Sequence, residues 1–190
     1  METFLGLVLV FGFIAFLFWL LSKGIKKGAD KKYKENSDNH FIRTYMNTCS
    51  DEKMRTEVVE ALDRAVNKLP IPVFLTENYL FFKKMGGVEF IPLSNIVWIY
   101  SKTTNLTTKM GSTITYTNSL EVRLDGNVKK SVAIGTENAS YIIGHILALA
   151  PWISTGYSET LERDMKNNFT YYQKEKDKKY KEYISNKNEQ

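Results

Sequence analysis

The residue types that most often carry catalysis or bind metals are scarce in this chain of 190 residues. It has two histidines, His40 and His145, and one cysteine, Cys49. A nucleophilic triad needs a nucleophile, a base and an orienting acid, and a zinc site needs three or four ligands at matched spacing. These three residues supply neither set, and the sequence has no phosphate-binding glycine loop, HExxH or GxSxG motif. We therefore expect a protein that is not an enzyme and that uses no metal or cofactor.

A cluster of lysines near the N-terminus is the clearest chemical pattern. With Asp30 as the only acid, residues 23–34 carry a net charge of +5, which equals the charge of the whole chain. The lysines are Lys23, Lys26, Lys27, Lys31, Lys32 and Lys34. The remainder is nearly neutral, which argues against nucleic-acid binding, because that needs a basic face on the folded domain. Each lysine of such a cluster can gain about 1 kcal/mol of binding free energy from anionic lipid headgroups. The alternative is that the cluster serves only as a signal for membrane topology.

An apolar run at residues 4–21 directly precedes the lysines. As a helix it would reach roughly 27 Å, close to the roughly 30 Å of bilayer hydrocarbon. The run ends in bulky residues rather than a cleavage site, so we expect a retained anchor instead of a signal peptide or a buried core helix. Basic residues follow the run and none precedes it. The N-terminus is therefore expected outside the cell membrane, with the remainder in the cytoplasm.

The rest of the chain predicts helices around a strand-rich segment. Residues 35–50 lack a clear period and are interpreted as a linker. From Ser50, apolar residues recur at helical spacing, which predicts an amphipathic helix that is capped by Ser50 or Thr48 and ends at Pro70. Residues rich in Val, Ile, Phe, Tyr and Thr then predict seven strands joined as antiparallel hairpins. We place these at residues 72–76, 79–84, 88–92, 96–102, 112–116, 120–124 and 128–134.

Two further helices are expected after the strands. Asn138 opens the first, whose wide apolar stripe must pack across the sheet or close one end of a small barrel. Ser158 caps the second, where Leu161, Met165, Phe169 and Tyr172 share one stripe. That stripe either contacts a partner or folds back on the strands. We expect the lysine-rich tail beyond it to fray.

Several short motifs follow one another in residues 73–100. They are a threonine before a tight turn, an aromatic-rich strand, the turn Gly86-Gly87, and the run Ile91-Pro92-Leu93-Ser94-Asn95-Ile96. This order resembles bacterial pleckstrin-homology-like (PH-like) domains, and residues 120–150 are similar to the closing strands and helix of that family. With the apolar run, the chain is similar to an uncharacterised single-pass membrane-anchored family of low-GC Gram-positive bacteria. The resemblance implies an antiparallel β-sandwich or barrel closed by a helix.

The resemblance does not extend to the lipid site of the wider superfamily. Its lipid-binding members grip phosphates with a basic loop between the first two strands, whereas this chain has the tight, acidic turn Thr76-Glu77-Asn78 there. Lys83 and Lys84 lie in the next hairpin. Lysines are common at hairpin tips, so we interpret this pair as solvated surface residues.

The sequence thus predicts an α+β protein in four parts. These are a transmembrane anchor at residues 1–22, a basic juxtamembrane stretch and linker at 23–49, a PH-like domain with its preceding helix at 50–157, and a charged C-terminal helix and tail at 158–190. We expect an adaptor held at the bilayer by residues 4–21 that binds a partner protein or a second copy. Aromatic residues suit contact surfaces, and the candidates are Trp98, Tyr100, Tyr116, Phe169 and Tyr172. The alternatives are a sensor of anionic membrane lipid and a purely structural role.

Overall fold

The structure is a computed structural model that describes residues 39–69, 71–107, 114–135 and 139–189. These residues form an α+β fold with seven strands and five α-helices. The strands are β1 (Val73–Leu75), β2 (Tyr79–Lys84), β3 (Gly87–Pro92), β4 (Ile96–Thr107), β5 (Ile114–Leu124), β6 (Val128–Gly135) and β7 (Ser154–Thr155). The helices are α1 (His40–Thr48), α2 (Glu52–Ala61), α3 (Ala139–Leu149), α4 (Glu159–Asn167) and α5 (Phe169–Asn188).

The predicted anchor at residues 1–22 lies outside the described residues, as do the six lysines of residues 23–34. Within the described ranges, none of the helices combines the length and the apolar character needed to cross a bilayer. The anchor therefore stays a prediction from the sequence.

The strands form two sheets, with orders β1-β2-β3 and β6-β5-β4-β7. Neighbouring hairpin strands are antiparallel, as expected from the short connections between them. One pair differs, because β7 adds to β4 in parallel, with Trp98 opposite Ser154 and Ile99 opposite Thr155. Neither sheet closes on itself in the described part of the chain, so the barrel form of the prediction is wrong.

Each sheet packs apolar residues on both of its faces, while Gly87 and Phe90 of β3 and residues 101–104 of β4 are exposed. The facing sides of the two sheets share one core with α3, whose members include Leu80, Ile99, Val122 and Ile142. The outer side of the first sheet presents Phe74 and Phe81 to α1 and α2. The outer side of the second sheet presents its own apolar residues to α4 and α5. Strands buried on both faces have nearly continuous apolar sequences, as β1 and the first half of β2 do.

The N-terminal helices differ from the prediction. Residues 40–48, interpreted as part of a linker, form α1, and its Phe41 and Ile42 are buried. The next helix is capped by Asp51, whose carboxylate accepts from the Met54 amide at 3.0 Å, rather than by Ser50 or Thr48. It ends at Ala61 instead of reaching Pro70.

The side chain of Asn67 explains why α2 ends early. Asn67 is fully buried, and its amide donates to the carbonyl oxygens of Ala61 at 2.7 Å and Leu75 at 2.9 Å. Its Oδ1 accepts from the Leu75 amide at 2.8 Å. These bonds satisfy a helix-end carbonyl and an edge of β1 together, so tertiary contacts outweigh the helical pattern of residues 62–69.

The second half of the chain also departs from the predicted boundaries. The strands expected at residues 112–116 and 120–124 are one strand, β5, and β4 extends to Thr107. Residues 103–107 and 117–119, which the prediction leaves outside the strands, are extended because they pair with each other's strand in the β4–β5 ladder. The Thr103 hydroxyl also donates to Asn118 Oδ1 at 2.9 Å. The Ser158 cap is confirmed, since its hydroxyl accepts from the Leu161 amide at 3.0 Å. The tail expected to fray is helical to Asn188.

Candidate functional site

Trp98 and Tyr100, two of the candidate contact residues, lie inside the molecule. Their exposed fractions are 0% and 3%, and their ring centroids are 4.3 Å apart. Met165 of α4 packs on both rings. The indole Nε1 of Trp98 donates to the Gly156 carbonyl at 2.8 Å. The two rings thus hold α4 and the β7 segment on β4 of the same chain. They are too deeply buried to form an exposed contact surface for a partner.

The C-terminal candidates also face inward. Phe169 is buried, and Tyr172 is half-buried against the Trp98 cluster. The Tyr172 hydroxyl donates to the Asp164 carboxylate, and this hydrogen bond raises the pKa of Tyr172. The apolar stripe thus folds back on the second sheet. Tyr116 pairs through its backbone with Asn105, and its side chain lies outside the part that the structure describes.

A groove of about 280 Å³ lies beside the buried aromatic pair, between β4 and α3. Its walls come from β4 and from two elements much later in the sequence, α3 and the β7 segment. The lining residues are Tyr100 and Ser101 of β4, Ser140, Ile143, Gly144 and Leu147 of α3, and Thr155, Gly156 and Tyr157 of the β7 segment. None of them is charged, so the groove favours an uncharged ligand.

The edge of β4 that borders this groove is only partly paired. β5 pairs with the opposite edge along the whole strand, whereas β7 covers Trp98 and Ile99 alone. In the described ranges, no strand pairs with this edge beyond Ile99. Tyr100 is buried, and the four side chains after it, from Ser101 to Thr104, are exposed. A row of unpaired backbone N–H and C=O groups is a template for one more strand.

Helix α3 has two apolar stripes rather than one. Ala139, Ile142 and Ile146 are buried in the core, whereas Ile143 and Leu147 are half-buried and line the groove. Gly144 lies between the two groove residues, and a Cβ built on it would meet no atom within 4 Å. The absence of a side chain at Gly144 therefore leaves open space in the groove between Ile143 and Leu147.

Tyr157 forms the outer wall. Its ring stacks on Tyr100 with centroids 5.0 Å apart, yet 53% of the residue is exposed. Its hydroxyl donates to the Glu162 carboxylate at 2.9 Å, which raises the pKa of Tyr157. The hydroxyl is thus held in its protonated, donating form, and the ring is fixed in place by α4.

The described lining of the groove offers apolar side chains, hydroxyls and backbone polar atoms. Such groups can pack against a ligand and hydrogen-bond to it. Across the described ranges, no three His, Cys, Asp or Glu side chains come together as metal ligands. The sequence prediction missed Ile143, Leu147 and Tyr157 as site residues. The available signal was the unusual width of the apolar stripe on α3.

In the described ranges, fold and groove define a small α+β domain of two sheets flanked by helices, with a partly unpaired strand edge beside an uncharged groove. Residues 36–165 match the family model described as a domain of unknown function, DUF6709, and the chain belongs to this family. The match includes α1, all seven strands and the groove, and it ends before α5 begins. Comparison with curated proteins gives no match.

Proposed function

We propose that the protein is a membrane-anchored, cytoplasm-facing interaction module with a PH-like fold that binds an extended segment of a partner protein. One observation carries this proposal: in the described part of the chain, no strand pairs with the edge of β4 beyond Ile99, and this edge lies directly beside an uncharged groove. The incoming segment would continue the line of β7 along β4. The protein's task is then to hold that partner at the inner leaflet.

The β7 segment supports strand addition at this place. Ser154 and Thr155 already occupy the first positions of the β4 edge as a short parallel strand. In strand addition, main-chain hydrogen bonds supply affinity, and pockets for alternate side chains supply selectivity. Each such bond contributes about 1 kcal/mol net. The space above Gly144, between Ile143 and Leu147, is the pocket for one of the alternate side chains.

The lining indicates the kind of segment. Because the described residues that line the groove carry no charge, a charged side chain would lose its hydration there without gaining a partner among them. We therefore expect small apolar side chains at every second position of the bound segment, where they face the groove. The polar positions between them would face water.

The PH-like fold and the anchor rest on other features. Antiparallel hairpins followed by a helix that packs into the shared core support the PH-like assignment. The anchor rests on the apolar run at residues 4–21 and on the six lysines that follow it. Its length and its flanking charge support a single span with the domain on the cytoplasmic side.

The test fills the groove without disturbing the fold. In Gly144→Leu the new side chain enters open space, and loss of a helical glycine stabilises α3 by about 0.8–1 kcal/mol. Ala148→Leu is the matched control, because Ala148 is exposed one turn further along α3 and does not line the groove. A photo-reactive benzoylphenylalanine replaces Ser101 in the full chain, and cross-linked segments are identified by mass spectrometry after irradiation of intact cells.

We expect the same partner segment to cross-link in the native and Ala148→Leu backgrounds. Gly144→Leu should lower the yield about tenfold, which corresponds to about 1.4 kcal/mol of binding free energy. Equal yields in all three backgrounds would exclude the groove as the binding site. Cross-links to lipid instead of protein would favour the alternative function, a sensor of anionic membrane lipid.

A further inference from the structure

The tip of the β2–β3 hairpin carries an apolar side chain that nothing in the described chain covers. Met85 is fully exposed, and it is the most exposed of the large apolar residues in the described ranges. Gly86 follows with φ 97°, the left-handed value that the third residue of a tight type II turn requires. The turn therefore projects Met85 away from the sheet. Hairpin turns normally carry polar residues, so this methionine needs an explanation.

Positive charge surrounds Met85. Lys83 and Lys84 precede it, and Lys83 has no acidic partner among the described residues. Lys84 shares the Glu89 carboxylate with Lys130, so two lysines are balanced by one acid. An apolar side chain next to an excess of positive charge matches the interface of an anionic bilayer, where the apolar side chain enters the hydrocarbon layer and ammonium groups meet phosphates.

A groove beside the tip has the same character. It encloses about 590 Å³ between α1 and the hairpin, and none of the described residues that line it is acidic. Lys83 and Lys84 line one side, and the hydroxyl-bearing residues Thr44, Tyr45 and Thr48 of α1 line the other. The Thr44 and Thr48 hydroxyls donate to the His40 and Tyr45 carbonyl oxygens of the same helix. The lysine ammonium groups and the Tyr45 hydroxyl are therefore the donors for phosphate oxygens. The groove thus has room and donors for lipid headgroups next to Met85.

The position of the tip relative to the N-terminal segment connects these observations. The described chain starts at Asn39, immediately before α1, and α1 packs on the first sheet next to the hairpin. The predicted anchor and its six lysines precede this point in sequence. The chain from the predicted anchor therefore enters the described domain at Asn39, beside the hairpin that carries Met85 and Lys83.

We infer that this side of the domain, formed by the exposed face of α1 and the hairpin tip at Lys83, Lys84 and Met85, rests on the anionic surface of the bilayer. This contact requires the anchored state proposed above, but it does not require the β4 groove. It places α1 and the first sheet toward the lipid. The α4 and α5 side then faces away from the membrane.

A depth measurement on the full chain tests this orientation. Cys49→Ser removes the native thiol, and Met85→Cys is labelled with an environment-sensitive bimane probe. A probe at Tyr171→Cys is the control, because Tyr171 is exposed on α5, on the opposite side of the domain. Both proteins are reconstituted into vesicles of phosphatidylcholine alone or mixed with phosphatidylglycerol. Quenching by doxyl-labelled lipid is compared with quenching by aqueous iodide.

In the anionic vesicles, we expect lipid quenching at position 85 to exceed that at position 171 severalfold and iodide quenching to be correspondingly weaker. Lys83→Glu should abolish the difference, whereas Lys178→Glu, at an exposed lysine on α5, should not. Equal lipid quenching at both positions would overturn the inference. Protection of position 85 from iodide that is the same in both lipids and rises with protein density would also overturn it, because a protein contact would then cover the tip. Release of the chain by alkaline washing would refute the anchor itself, and that result is distinguishable from an exposed probe on a retained protein.

Discussion

Lys176 is a charged side chain in an almost fully buried place, and its replacement tests how α5 is held. Only 3% of its side chain is exposed. Its ammonium group donates to both carboxylate oxygens of Asp125 at 2.9 and 3.0 Å and to the Ser94 carbonyl at 2.9 Å. It also pairs with Asp177 at 2.8 Å. Lys176→Met keeps the apolar stem and removes only the charge and its hydrogen bonds.

The structure limits the expected loss of stability. Breaking a fully buried ion pair costs about 3–5 kcal/mol, because an unpaired charge stays buried. Here the side chains of Asp125 and Asp177 are 33% and 50% exposed, so water can solvate them after the substitution. The Ser94 carbonyl loses its donor, at about 1–3 kcal/mol. We therefore expect Lys176→Met to lower the free energy of opening of α5 by about 2 kcal/mol, which is roughly a thirtyfold shift in the opening equilibrium.

Hydrogen exchange of the full chain in detergent micelles measures this opening directly. In Lys176→Met, amides of residues 169–188 should exchange roughly thirtyfold faster, with the strands of both sheets unchanged. Lys178→Met is the matched control, since Lys178 lies on the same helix and is exposed. Exchange in α5 that is equal in the two variants would refute the assigned role of the buried ammonium. Faster exchange throughout the domain would show that α5 does not open separately.

Two further substitutions test contacts inside the domain. Asn67→Ala removes three buried hydrogen bonds to Ala61 and Leu75, so we expect a loss of about 3 kcal/mol in the free energy of unfolding, measured from urea midpoints; a loss well under 1 kcal/mol would contradict the role of Asn67 in ending α2. Glu121→Gln tests pH dependence: burial raises the pKa of Glu121, but hydrogen bonds outweigh burial and hold the pKa below its ordinary 4.5, the donors being Ser131, Lys129 and Ser119. Because the folded pKa is the lower one, this carboxylate stabilises the fold above pH 4.5, and its contribution is lost as the pH falls through the folded value. The stability difference between native and Gln proteins should be constant above pH 4.5 and shrink below it, whereas parallel curves at all pH values would contradict the assignment.

Local signals predicted the hairpins and one helix start well. The bounds of β2 follow from the turns on either side, and the Ser158 cap needs only the residues beside it. The end of α2 could not be predicted, because it depends on Asn67 reaching Leu75 across the fold. The parallel strand β7 was missed for a similar reason, since its partner β4 is distant in sequence.

The groove was hidden from the sequence by the same long-range packing. Trp98 and Tyr100 were chosen as contacts because they are aromatic, but Met165 of α4 covers them. The apolar stripe on α3 was interpreted as a single core face. Its division into a buried part and a groove part depends on where Tyr157 and the β4 edge lie. No periodicity in the sequence contains that information.

The seating of α1 determines how the domain responds to mechanical tension. Asn39 donates from its side chain to the Asn67 carbonyl at 2.7 Å, and Phe41 and Ile42 pack against Phe81 in the core. A force applied through the chain before residue 39 therefore acts on buried side chains rather than on a slack loop. Extracting those two residues into water would require roughly 3–6 kcal/mol. Below a threshold force, pulling on the N-terminal segment should move the domain without extending it. Only above that threshold should the chain lengthen.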